Sequence, residues 1–339
     1  MPRTIALTKG ATFSAFAGTL VSLGVPLSGY LRRARLPSHF DEMPDAWVSY
    51  GAMREFLDAV CRREGLDDLG QRVTQRMALQ GLHPVLRGAI GASPTLYVAI
   101  ARIVRLAQFQ STHLRMWMEP HADTVRLCHK KLLGPEVPGY DITEAYTTHV
   151  FVSLFRQFCG REWLPQRVYS RRLAAEGVRG QHATPLTQDG VRLVLHDDYA
   201  GFDVPAEVLI TPNPTVESIE RPVDLAGPPT ALTESLLGIL GPYLMDGTPS
   251  IDTVAAIFGL SRRTLQRKLK EENSTYARVL SQARFERAKG ELADLDRPLT
   301  DIALRVGYSE QSAFNRAFRS WTGIAPGAYR ELLLARGTA

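Results

Sequence analysis

Between Ser261 and Lys270 the chain carries Arg262, Arg263, Gln266, Arg267, Lys268 and Lys270, and no acidic residue. A guanidinium group matches guanine N7 and O6 with two hydrogen bonds, and a glutamine amide matches adenine N6 and N7 in the same way. Leu265 and Leu269 are four apart and share one helical face, which turns Arg262, Arg263, Gln266 and Arg267 outward. A run of charge is usually no more than a solvated helix face. A second stretch argues against that here: Gln311, Ser312, Asn315 and Arg316 surround Phe314 and Phe318 in the same manner, with fewer charges. The chemistry on offer is recognition of a polyanion that displays base edges. Arg316 taken alone is equally suited to a phosphate contact, which positions without specifying.

The elements that would hold these side chains are written twice. The first copy runs from Ile251 to Leu269 and the second from Leu299 to Phe318. Ala255 matches Ala303 and Gly259 matches Gly307. One extra residue follows the turn in the second copy, so Leu265, Arg267 and Leu269 match Phe314, Arg316 and Phe318. A small alanine mid-way along the first helix lets two helices approach closely. The glycine supplies a positive φ in the turn, and Ser261 can cap the helix that follows. This is the helix-turn-helix pattern, whose second helix enters the major groove. Tyr276 to Leu295 reads as a long helix between the copies, and Thr300 as a cap for the second. A helix of about twenty residues spans about 30 Å, close to the roughly 34 Å of one DNA turn. Such a spacer could present two recognition helices to successive grooves, with DNA bending absorbing any mismatch.

The 339 residues are 45% hydrophobic and 22% charged, with a formal net charge of +5, a composition ordinary for a globular protein of two domains. Cys61, Cys128 and Cys159 form no CxxC pair, and their odd number argues against a disulfide framework. The apolar run from Ala11 to Val25 loosely imitates a signal peptide, but no small-residue cleavage site follows it before Leu36. No uncharged apolar stretch is long enough for a transmembrane helix. A cytoplasmic protein without a membrane partner is expected.

Residues 1–210 mix helices and short strands. Helices are expected over Phe13–Leu23, Tyr50–Arg63 with Gly65 just beyond, from a Ser93-Pro94 cap to Ala107, and over Thr143–Cys159. Strand candidates are Leu114–Met118, Thr124–Cys128, Arg167–Ser170, Val191–Leu195 and Val208–Ile210, while His196-Asp197-Asp198 reads as a turn. Without a strict βα repeat, this predicts an α+β domain. Pro212, Pro214, Pro222, Pro228 and Pro229 crowd residues 211–231, as in a semi-rigid linker. Residues 232–339 then read as an all-α domain, opened by a helix over Leu232–Met245 that stops at Asp246-Gly247.

The segment Asp301-Ile-Ala-Leu-Arg-Val-Gly307-Tyr-Ser-Glu-Gln-Ser-Ala-Phe314-Asn-Arg-Ala-Phe318-Arg-Ser-Trp321-Thr-Gly323-Ile-Ala-Pro326-Gly-Ala-Tyr329-Arg330 resembles the DNA-binding domain of the AraC/XylS family of transcription regulators. The resemblance covers about Leu232 to Arg330. It departs from the family pattern at Ala313 and Gly327, away from the expected DNA face. It implies base contacts on Arg263, Gln266 and Arg267, then on Gln311, Ser312 and Arg316. Gly24-Val-Pro-Leu, Ser93-Pro-Thr-Leu and Trp163-Leu-Pro-Gln-Arg-Val168 are similar to the effector domain of the ornithine-utilisation-regulator branch. That similarity implies a ligand-sensing, dimerising domain with a small-molecule effector it does not identify. The short cupin pattern of sugar-responsive members is not evident, so a sugar is not implied.

His121, Cys128 and His129 lack a metal-ligand spacing, and Arg32, Arg33 and Arg35 read as a solvated helix end. There is no Walker loop, GxGxxG, GxSxG or HExxH, so neither a cofactor nor an enzymatic activity is expected. An enzyme with an appended DNA-binding module, such as a DNA-repair methyltransferase, would need a reactive cysteine in a recognisable motif, and none of the three offers one. The expected function is a ligand-responsive activator that binds double-stranded promoter DNA and recruits RNA polymerase, acting as a homodimer. The competing reading is a DNA-binding regulator controlled by a protein partner without a ligand.

Overall fold

The computed structural model describes residues 5–171, 190–215 and 228–337. Two compact units emerge: Met1–Ala34 with Val48–Pro228, and Arg35–Trp47 with Pro229–Ala339. The expected linker at 211–231 falls partly on residues 216–227, outside the described residues.

The first unit is α+β. Strands β1 (Leu7–Lys9) and β2 (Trp47–Ser49) form a two-stranded pair. A five-stranded mixed sheet contains β3 (Leu114–Pro120), β4 (Thr124–Lys131), β5 (Arg167–Arg171), β6 (Arg192–His196) and β7 (Ala200–Pro205), in the order β3-β4-β7-β5-β6. Only β5 and β6 run parallel; the other neighbours are antiparallel. Helices α1 (Gly10–Ser22), α2 (Leu27–Arg33), α3 (Tyr50–Glu64), α4 (Leu69–Met77), α5 (Pro84–Gly91), α6 (Leu96–Gln110), α7 (Tyr140–Cys159) and the single turn α8 (Ala206–Leu209) complete it.

Strand alternation sends Leu127, His129 and Lys131 to one face of β4 and Arg126 and Cys128 to the other. On the first face Phe202 of β7, opposite Leu127, meets Phe155 of α7 at 5.2 Å between ring centroids. On the second, Cys128 packs with Tyr169 and Tyr199. Arg126 bonds the carboxylate of Asp203 at 2.7 Å and the hydroxyls of Tyr199 and Tyr169 at 2.8 and 2.7 Å. Arg54 of α3, fully buried, donates to the carbonyls of Leu133, Gly134, Val137 and Pro138 and so ties down the loop between β4 and α7.

Several expected elements are corrected. Val208–Ile210 is not a strand; Val208 and Leu209 lie in α8, and the strand is β7, immediately before it. Gly201 sits where a Cβ would lie 2.1 Å from the Leu127 carbonyl oxygen, so this glycine marks close packing of β7 on β4. The cap of α6 is Thr95, whose hydroxyl accepts from the Val98 amide at 3.4 Å, not Ser93. Helix α7 begins at Tyr140, three residues before the expected Thr143. His196-Asp197-Asp198 does form a turn, with the His196 ring accepting from the amides of Asp198 and Tyr199.

The second unit is helical: α9 (Leu232–Tyr243), α10 (Ile251–Ile257), α11 (Arg262–Glu271), α12 (Tyr276–Leu292), α13 (Leu299–Arg305), α14 (Gln311–Thr322) and α15 (Pro326–Gly337). Nothing in the sequence marked Arg35–Trp47 as part of it. Tyr243 donates to the Arg35 carbonyl at 2.8 Å, the Ser38 amide donates to Asp246 at 2.7 Å, and Glu42 pairs with Arg305. Two glycines of α9 leave room for this segment: a Cβ on Gly238 would lie 2.5 Å from Trp47, and one on Gly241 would lie 2.9 Å from Met43.

Candidate nucleic-acid interface and effector cavity

In the first motif, Ser250 caps α10 by accepting from the Thr253 amide at 3.0 Å, and Ser261 caps α11 by accepting from Thr264 at 3.1 Å. Gly259 and Gly307 hold φ of +64° and +82° in the two turns. Ala255 and Ala303 are buried where each pair of helices meets. The extra residue of the second copy lies in its turn: α11 starts three residues after Gly259, and α14 four after Gly307. From the helix starts onward the registers coincide. Leu265 and Leu269 are the fourth and eighth residues of α11, Phe314 and Phe318 those of α14, and all four are buried.

At 100° per residue, the second and sixth positions lie opposite the fourth and eighth. Those positions are Arg263 and Arg267 in α11 and Ser312 and Arg316 in α14, all exposed. The first and fifth positions flank them. Arg262 and Gln266 are exposed, whereas Gln311 and Asn315 are half-buried. All eight expected residues therefore fall on one face of their respective helix. Arg262 pairs with Asp252 at 3.2 Å, and Arg267 with Glu271. Both pairs are exposed, where an ion pair contributes about 0–1 kcal/mol, so either arginine is cheaply released. Arg263, Gln266 and Arg316 have no such partner among the described residues. The ninth positions, Lys270 and Arg319, are also exposed and extend the same stripe. Their shared nine-residue register was the signal that could have added them to the sequence-derived set.

Thr300 does not cap α13; it lies inside the helix, and Pro298 precedes it without a side-chain cap. Glu310 precedes α14 and accepts from the Ser312 hydroxyl at 3.2 Å. Helix α12 has 17 residues, ending three before the expected Leu295, and so spans about 26 Å. It braces both motifs. Arg284 donates to Thr248 before the first motif and to the Gly307 carbonyl at 3.1 Å in the second turn, and covers the Tyr308 ring at 4.5 Å. Glu291 gathers Arg287, Arg297 and Arg305. Phe318 completes the second motif, packing on Phe314 at 5.7 Å and on Tyr329 of α15 at 5.3 Å.

The first unit holds a cavity among α1, α3, α6, α7, β3 and β4, with about 750 Å³ of atom-free space, part of it open to solvent. The centre of a water-sized sphere can reach about 70 Å³ of it, room for several waters or a compact organic group. Its walls are mainly apolar, with Phe16, Met53, Leu86, Ile103, Phe151 and Leu154 among them, and its polar members include Tyr50, Gln110, His113, Lys131 and Tyr146. Burial pushes the His113 imidazole down to about 3, so the ring is neutral, and it stacks on Tyr50 at 3.5 Å. Burial also pushes the Lys131 ammonium down to about 8, against the pull of Glu144. His121, Cys128 and His129 do not converge, since Cys128 and His129 point to opposite faces of β4; among the described residues no cluster could hold a metal. Nor is any described helix long and apolar enough to cross a membrane.

Paired helix-turn-helix motifs in one unit and a cavity-bearing α+β fold in the other define a DNA-binding transcription regulator with a separate ligand-binding type of domain. Family models match both parts: a helix-turn-helix domain over residues 254–332, and the arabinose-binding domain of AraC transcription regulator, N-terminal, over 24–179. The chain belongs to the AraC family of transcription regulators. It is 25% identical to the HTH-type transcriptional regulator VirS of Mycobacterium tuberculosis over 96% of each chain. It is 34% identical to the ornithine utilization regulator of Pseudomonas aeruginosa over 39% of this chain and 43% of that one. It is 29% identical to the transcriptional activator NphR of a Rhodococcus species over 52% of this chain and 57% of the relative. These families and relatives are regulators, not enzymes.

Proposed function

We propose that the chain is a ligand-responsive transcriptional activator that reads double-stranded promoter DNA in the cytoplasm. Helices α11 and α14 enter major grooves, with Arg262, Arg263, Gln266, Arg267, Gln311, Ser312, Asn315 and Arg316 as the contacting set. Base contacts concentrate on Arg263, Gln266 and Arg267. The observation that carries this reading is the coincident register of the two helices, which places polar and basic side chains at the same outward positions twice. Helix α11 carries Arg262, Arg263, Arg267, Lys268 and Lys270, against Arg316 and Arg319 on α14, so it supplies more of the salt-dependent affinity.

The cavity binds a small-molecule effector, and the same unit mediates homodimerisation. Effector binding shifts the population of states that differ in half-site occupancy and in recruitment of RNA polymerase, which requires different ligand affinities in those states. An activating sign is supported by the name of NphR. A cavity in the first unit favours a small-molecule signal over control by a protein partner alone. The test is genome-wide capture of DNA by the purified full chain, followed by footprinting. The expected result is a few enriched promoters, each with two protected patches about one helical turn apart. Weak, sequence-independent binding at every salt concentration, with and without metabolite extract, would overturn the proposal.

A further inference from the structure

We propose that the cavity of the first unit takes a small organic acid with an apolar body, its acidic group held by Lys131. This rests on the reading of that unit as an effector-binding domain.

The argument comes from which polar groups of the wall are already satisfied. Thr8 and Ser111 bond each other at 3.1 Å, and Tyr50 and Thr143 at 2.9 Å. Gln110 donates to Thr12 and to the Gly81 carbonyl, and its oxygen accepts from the His83 amide at 2.6 Å. The His113 Nδ1 donates to the Leu7 carbonyl at 3.1 Å. A polyhydroxylated ligand would need most of these groups free, and they are spent on one another.

Lys131 and Tyr146 differ. Both line the cavity and both are buried; among the described residues the Tyr146 hydroxyl has no hydrogen-bond partner, and the Lys131 ammonium meets only the Glu144 carboxylate. Lys131 has Glu144 beside it, with Nζ 3.3 Å from Oε2, but an ammonium has three N–H donors and this contact occupies at most one. The Glu144 carboxylate is also 3.9 Å from His129 and lies near Tyr140, so it is shared. The Glu144 oxygens are also without a hydrogen-bond partner among the described residues but do not line the cavity, so the unmet need of the groups that face it is for acceptors. A carboxylate brings two oxygens with about four acceptor sites to the N–H donors of Lys131 that Glu144 leaves free. An amine would add a cation beside a cation. Apart from the polar groups already bonded to one another, the remaining wall, with Phe16, Met53, Ile103 and Leu154, gives the ligand body apolar contact.

The test titrates the full chain with aliphatic and aromatic monocarboxylates from acetate to decanoate, including phenylacetate. The matching amides and arabinose serve as comparisons, and binding is read by calorimetry and thermal shift. Acids of a fitting size should bind at least about tenfold more tightly than their amides, the gain expected of charge-assisted hydrogen bonds. Lys131→Met alone leaves Glu144 buried without its cation and risks misfolding. The double variant Lys131→Met/Glu144→Gln removes both charges and should melt cooperatively while losing the preference for acids. Equal binding of acids and amides, or an acid preference retained by the double variant, overturns the proposal but leaves the cavity as an effector site. If no compound binds, the acid assignment falls. If the cavity-filling Ala107→Trp then also leaves promoter output in cells unchanged, the effector reading falls with it.

Discussion

Replacing Arg263 with alanine separates a base-reading side chain from a charged scaffold residue. Arg263 is the second residue of α11, opposite the buried Leu265 and Leu269, exposed and without a partner among the described residues. Its loss should therefore change folding stability by no more than about 0.5 kcal/mol. If it forms the bidentate contact proposed, binding to the captured promoter should weaken by about 1–3 kcal/mol, or roughly 5- to 150-fold, with specificity relaxed at one base position. Arg262 is the internal comparison. It sits at the flanking first position and must first leave Asp252, 3.2 Å away. Arg262→Ala should weaken binding similarly on all sequences and reduce the salt slope by about one, as for a phosphate contact. Fluorescence anisotropy on captured fragments at two or more salt concentrations measures both quantities, and reselection from random duplexes reads the specificity. The assignment of Arg263 is refuted if its variant keeps both affinity and preferred sequence.

The two turn glycines should not respond alike to alanine. Gly259 at φ +64° has nothing within 4 Å of a new Cβ, so Gly259→Ala should cost only the conformational penalty of roughly 1–2 kcal/mol. Gly307 at φ +82° adds tight approaches to Thr248 at 3.2 Å and the Leu244 carbonyl at 3.4 Å, so Gly307→Ala should cost more in thermal denaturation, and equal costs would contradict the packing described. His113 is held near 3 in the folded chain against 6.5 unfolded. Between those values the unfolded state binds the extra proton, so stability falls as pH falls through that window, by about 2 kcal/mol from this residue between pH 7 and 5. His113→Phe should flatten the acid side of the melting profile, and an unchanged acid slope would argue against the buried neutral ring. Gly238→Leu puts a side chain where Trp47 lies and should release residues 35–47 from the second unit, read as faster amide exchange in that segment; unchanged protection there would show that Trp47 does not depend on Gly238.

The second unit was legible because its signals are local. A helix-turn-helix is fixed by residues within about twenty positions, and both turn glycines and the Ser261 cap follow from backbone geometry alone. The errors there are equally local. Thr300 is a good cap by type, yet the restricted backbone at Pro298 starts the helix before it. In the first unit β7 was hidden because Ala200-Gly-Phe-Asp-Val-Pro contains three residue types that disfavour strands. Tertiary partners override each one: Gly201 fits under the Leu127 carbonyl, Asp203 meets Arg126 across the strand pair, and Pro205 closes the end.

What composition and periodicity could not show is what depends on distant pairs. The polar wall of the cavity is set by Thr8 with Ser111 and Tyr50 with Thr143, each about a hundred residues apart in the chain. Lys131 reads in sequence as one more charge at the end of a strand, and Glu144 as a solvated helix residue. Only the packing of α7 on the sheet makes them neighbours and strips both of water. The same holds for Arg35–Trp47, whose two anchoring glycines on α9 have ordinary helical surroundings in sequence and acquire meaning from Trp47 and Met43. DNA-reading chemistry is written along a helix and so is visible twice in the sequence. Ligand chemistry is written across the fold, where a buried lysine with unmet donors is the feature that distinguishes an acid-binding cavity from a packing defect.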